Sequence, residues 1–183
     1  MSSPRPSPTP DDNAVAAGLG ALRPLQLLSA AIGMGALMLS ATRILVDLPV
    51  NPEPVPPSWM AVGIVLASVV AATGVIVVFG YSVPSLPMGL PRENAARTSL
   101  HYFGSTTVLR SAVAEMPVLV AFAVSFLVTP HSWLPLLVAL PVSAALFWWH
   151  AWPSPRTAAA VEKGLEAEGA ESFLSETLGF RAE

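Results

Sequence analysis

The chain has 183 residues, of which 53% are hydrophobic and 11% charged, with a formal net charge of -3. That is less than half the charge usual for a soluble domain, so most of its solvent is expected to be lipid. The absence of cysteine excludes disulfides, thiolate metal sites and cysteine nucleophiles, and no basic patch of the size nucleic acid requires is present. Lys163 is the only lysine among the basic residues, and Ala, Val and Pro are abundant, the usage of a GC-rich bacterial genome.

Residues 1–12 (MSSPRPSPTPDD) are Pro/Ser-rich with almost no apolar side chains, so they cannot offset the entropy of ordering and are expected to be disordered. A transmembrane domain follows over residues 13–152. Asp12 or Asn13 can cap a short helix, and Pro24 suits the first turn of the next one. Span one is therefore expected over residues 25–46, beginning near Pro24. Span two, 60–79, is flanked by Trp59 and Tyr81, residue types that favour the membrane interfaces. Span three covers 108–128 and carries Arg110, Glu115 and Pro117; span four, 134–149, is the shortest and holds Pro135 and Pro141. Each run meets or approaches the roughly 20 residues needed to cross a bilayer core.

Short loops rich in Lys and Arg stay cytoplasmic. Arg5 and Arg23 precede span one, Arg92 and Arg97 lie between spans two and three, and Arg156 follows span four, whereas residues 47–58 and 129–133 hold no Lys or Arg. Both termini and the middle segment are thus expected inside, in a plasma (inner) membrane. The first outer loop, DLPVNPEPVPPS, reads as a stiff polyproline-like strap. Pro91 can start a helix that lies at the interface or runs on into span three, with Gly104 as a bend. Beyond span four, residues 153–183 are expected as a cytoplasmic helical tail: Ser154 and Pro155 are a cap followed by a first turn, and AESFLSETLGF places Phe173, Leu174 and Leu178 on one helical face. That face is expected either to lie in a groove of a partner protein or to fold back on the membrane.

The fold class is accordingly all-α, a four-helix transmembrane bundle with a C-terminal amphipathic helix. Two stripes of small residues, Ser29, Gly33, Ala36 and Ser40 in span one and Gly63, Ala67, Ala71 and Gly74 in span two, let helix backbones approach closely. Packing within the bundle is the expectation, and a dimerisation face or pore lining the alternative. Arg43 is expected to pair with Asp47 one turn on and to reach toward water. Glu115 lies about 10 Å inside the inner end of span three and about 20 Å from its outer end, too deep for a short side chain to reach water. Arg110 lies about 140° round the helix from it, while Ser111 shares its face. Glu115 is expected to be protonated, to face a polar cavity, or to hydrogen bond to the Val113 carbonyl that Pro117 leaves free. Its role is structural, proton- or cation-handling, or contact with a partner.

The stretch RSAVAEMPVLVAFAVSFLV, residues 110–128, with the preceding span, resembles the carboxylate-bearing hairpin of the proteolipid subunit c of F- and V-type rotary ATPases. The resemblance covers residues 59–128 and implies that Glu115 corresponds to the carboxylate that carries a proton or sodium ion. Two flanking spans, the intrahelical Arg110 and the nearby Pro117 depart from that hairpin.

No catalytic constellation is visible. His101, His131 and His150 make no metal-ligand spacing with Asp or Glu, and no phosphate-binding glycine loop or nucleophile elbow is present. The expectation is a non-enzymatic protein without cofactor or metal, acting as an accessory, scaffold or assembly subunit. Its partners would be the lipid bilayer and other membrane proteins or further copies of itself, not nucleic acid. The alternative is a proton or cation translocation component built on Glu115.

Overall fold

The computed structural model describes residues 10–47, 49 and 55–180, with side chains from residue 20 onward. The expected proline strap falls mostly outside these residues, as does the expected disordered leader up to residue 9, whereas Pro10–Asp12, also expected to be disordered, are helical and begin α1. Six α-helices run in chain order: α1 (Pro10–Asp47), α2 (Trp59–Phe79), α3 (Arg92–Leu127), α4 (Leu134–Leu146), α5 (Pro155–Leu165) and α6 (Leu174–Thr177), with a π-helical turn (Phe147–Ala151) continuing α4. Four stretches, Gly20–Asp47, Trp59–Phe79, Arg92–Leu127 and Leu134–Ala151, are long and apolar enough to cross a membrane. The chain is an all-helical membrane protein of four candidate spans.

The start of the first span differs from the sequence reading. Pro24 lies inside α1, not at the start of a span; the helix extends through an Ala/Leu-rich stretch of good helix formers, whose propagation outweighs one missing backbone bond. Helix α3 takes the longer of its two expected courses, continuous from Arg92 through Gly104 and Pro117 to Leu127. Other ends follow the capping rules. Ser58 caps α2 by accepting from the Ala61 amide at 3.2 Å. Ser154 caps α5, accepting from the Thr157 amide at 3.4 Å while Thr157 Oγ1 accepts from the Ser154 amide at 3.0 Å, with Pro155 in the first turn.

The chain divides into two compact units. One contains Leu27–Ser82 and Ser105–Trp152. Its centre is apolar and small-grained: Ala36, Val65, Val118, Ala121, Leu136 and Ala139 form one cluster, so all four spanning helices contribute. Hydroxyls here bond back to their own helices, Ser40 Oγ to the Ala36 carbonyl at 2.9 Å and Thr73 Oγ1 to that of Val69 at 2.8 Å, which hides them from hydrocarbon. Arg43 does pair with Asp47, but it turns inward instead of toward water. Its Nε donates to Ser125 Oγ at 3.1 Å and its guanidinium lies 4.2 Å from the centre of the Phe126 ring.

Of the described residues, the other unit takes in those up to Gln26, Val83–Gly104 and those from Pro153 onward. The tail is therefore no free-standing element: the Leu86 amide donates to the Leu165 carbonyl at 2.8 Å, and Arg92 pairs with Glu176 while covering the Phe173 ring. Helix α6 is a single turn. It is held by Glu162, which accepts from Ser175 Oγ at 2.6 Å, and by Glu166, which accepts from the Ser172 amide at 2.9 Å. Gly179, at φ +72°, adopts the left-handed geometry that ends the turn, with the Phe180 amide donating to the Ser175 carbonyl at 2.8 Å.

Candidate functional site

Hydrocarbon makes every unanswered polar group expensive, so a buried polar group without a partner marks a candidate site. Arg110 is bonded at both of its terminal nitrogens. It is fully buried in the span unit, where one terminal nitrogen donates to the Gly80 carbonyl at 3.1 Å and the other to Thr107 Oγ1 at 3.1 Å. Its guanidinium stands 4.6 Å from the centre of the Tyr81 ring, a cation–π distance. Tyr81 in turn shares a hydrogen bond of 3.0 Å with His150 Nδ1, which the π-helical turn carries. Gly80 makes this arrangement possible, because a Cβ there would stand 2.9 Å from Arg110 Cγ. Sequence reasoning placed Arg110 inside span three without a partner and missed this role; the signal available was its position inside a helix that follows a Gly-Tyr pair at the end of the preceding one.

The acid is treated differently. Glu115 Oε1, Ser111 Oγ and Ser143 Oγ are buried without a hydrogen-bond partner among the described residues. The bond to a backbone carbonyl that Pro117 could release is therefore not made by Oε1. Ser111 is fully buried one turn before Glu115, and Ser143 is 5% exposed on α4. Glu115 and Ser143 both line a cavity of about 550 Å³ between α1, α3 and α4, whose wall is otherwise apolar apart from backbone and includes Gly33, Phe147 and Trp148. No cluster of His, Asp or Glu among the described residues could hold a metal ion.

The tail residues expected to grip a partner are placed elsewhere. Leu174 and Leu178 are fully buried inside the chain's own unit, and only Phe173 is partly exposed, beneath Arg92. The expected surface is thus a core: α6 is too short to present an amphipathic face, and burying two leucines against α5 and the middle segment removes them from water. The two small-residue stripes also part company. In α1, Ser29, Ala36 and Ser40 are buried as expected, and a Cβ on Gly33 would meet the Phe147 ring at 3.4 Å. In α2, Gly63, Ala67, Ala71 and Gly74 are all exposed, and a Cβ on Gly63 or Gly74 would have nothing within 4 Å. The buried seam of α2 is Ala61, Val65, Ala72 and Ile76, on the opposite side.

Comparison with family models, curated proteins and solved structures finds no match to this chain.

The contrast between the two charged residues of α3 has a measurable consequence. Arg110→Met leaves a buried carbonyl and hydroxyl unpaired, which is expected to cost about 1–3 kcal/mol. Glu115→Met removes a group with an unanswered oxygen and is expected to leave stability unchanged or raise it by up to about 1 kcal/mol. Thermal unfolding of both variants in the same detergent checks this; equal losses would mean that Glu115 is a structural element like Arg110.

Proposed function

We propose that the chain is a non-catalytic, multi-pass subunit of a plasma-membrane complex, an accessory or assembly component whose recognition surface is the outward stripe of α2. The observation that carries this reading is the exposure of Gly63, Ala67, Ala71 and Gly74 on a spanning helix, with open space over both glycines. Lipid tails gain nothing from a smooth, small-residue groove, while a second helix can bring its backbone close there and gain dispersion and weak C–H···O contacts. Among the described residues, bundle packing of α2 uses the opposite seam of Ala61, Val65, Ala72 and Ile76, which leaves the stripe free for a partner. The occupant is a transmembrane helix of a partner subunit or of a second copy.

Gly63→Leu and Gly74→Leu add side chains into open space and so preserve the fold, but they block close helix approach. After cross-linking in native membranes and mild-detergent purification, the parent is expected to carry a stoichiometric helical partner or a second copy. Either variant is expected to lose it by about tenfold. A parent that remains alone, or variants that retain the partner, would remove this reading.

Orientation belongs to the same proposal. Both termini and the middle segment lie in the cytoplasm on this reading. It is supported by the distribution of Arg92, Arg97 and Arg156 and by the grouping of the middle segment and the tail in one compact unit, since segments that fold together share one side of the membrane. Reporter fusions after Arg97 and after Glu183 are expected to read cytoplasmic, and one after Val55 external. A periplasmic reading at Glu183 would reverse the topology.

A further inference from the structure

The cavity between α1, α3 and α4 carries two groups that a lipid tail cannot answer. Glu115 Oε1 and Ser143 Oγ are both buried without a hydrogen-bond partner among the described residues, and both residues line the cavity. A volume of about 550 Å³ falls within the range of small-molecule sites, roughly 300–1,000 Å³. The polar demand of the site is specific. A carboxyl group asks for a donor, best a charged one, and a serine hydroxyl can take or give one bond more. The basic side chain nearest in sequence, Arg110, is engaged by Gly80, Thr107 and Tyr81 and points about 140° away round α3. No Lys or Arg side chain lines the cavity, so a charged donor to Glu115 would be supplied by the occupant. Phe147 and Trp148 line the same wall, and aromatic faces attract ammonium groups.

We infer that this cavity binds a hydrophobic organic ammonium, a small apolar body with a protonated amine, the ammonium held by Glu115 and Ser143 and the apolar part lying along α1 and α4. A bare inorganic cation would leave the apolar wall unused, and a neutral acyl chain would leave both oxygens unpaired. Binding is independent of the complex proposed above, because the α2 stripe contributes no residue to the cavity wall. It also requires no translocation.

Photoaffinity labelling tests it on the full chain in lipid nanodiscs, with decylammonium bearing a diazirine on its alkyl chain. Labelling is expected to be saturable, to map to residues 30–37 and 140–148, and to be competed by decylammonium but not by decanoate. Glu115→Gln keeps the shape of the side chain and is expected to weaken competition by decylammonium about tenfold, with Ser143→Ala weakening it severalfold. Ala144→Phe retains the acid but fills the cavity and is expected to abolish the label. Competition by 1-decanol as strong as by decylammonium, unchanged competition in Glu115→Gln, labelling that survives Ala144→Phe, or no saturable label at all would each overturn the proposal.

Discussion

A polar group inside a bilayer has no water to fall back on, and the architecture of this chain follows from how it answers each one. Several serine and threonine hydroxyls, those of Ser40 and Thr73 among them, are returned to their own helices. The two buried arginines are answered across helices. Arg43 joins α1 to α3 through Ser125, and Arg110 joins α3 to the end of α2 through Gly80. Helix α3 is thereby cross-linked to two neighbours by charge-assisted bonds, each stronger than the neutral bonds around it. The apolar cluster of Ala36, Val65, Val118 and Leu136 closes the bundle between these cross-links. Small residues there allow short helix separations, which in lipid replace the hydrophobic effect as the source of cohesion.

Against that rule the exceptions gain meaning. Among the described residues, Glu115 and Ser143 carry oxygens without a hydrogen-bond partner beside an apolar cavity, and the α2 stripe is a close-packing surface left exposed. Each departs from local consistency without a compensating contact inside the chain, and such departures are expected where a protein meets something else. The two departures lie on different surfaces, so a ligand in the cavity and a helix on α2 do not compete.

Much of this was legible in the sequence, for reasons that separate what periodicity encodes from what it does not. The four spans follow from apolar run length alone, and the Ser154–Pro155 helix start from capping chemistry. The Arg43–Asp47 pair follows from the i, i+4 geometry of a helix. Both small-residue stripes were visible too, but the pattern says only that a face can be approached closely. It does not say by what, and α1 and α2 use the same pattern toward opposite ends. The tail was misjudged for a related reason. Phe173, Leu174 and Leu178 form an apolar set whether it faces a partner or the chain's own core, and the decisive groups, Glu162 on α5 and Arg92 at the start of α3, are distant in sequence. Glu115 was recognisable as an acid too deep to reach water. The cavity beside it was not, because a void arises from side chains on three helices, including Gly33 and Ser143, whose juxtaposition no single segment records.

On the proposed function, the small-residue face of α2 is covered in the membrane. Because the chain has no cysteine, a single nitroxide label can be placed at Ala67→Cys, and a second sample labelled at Leu66→Cys, one position earlier and about 100° round the helix. Collision with oxygen dissolved in the bilayer, read by power-saturation EPR in native membranes, reports lipid exposure at each position. The account predicts that the label at residue 67 is shielded while that at residue 66 is freely accessible; equal, high accessibility at both positions would contradict it.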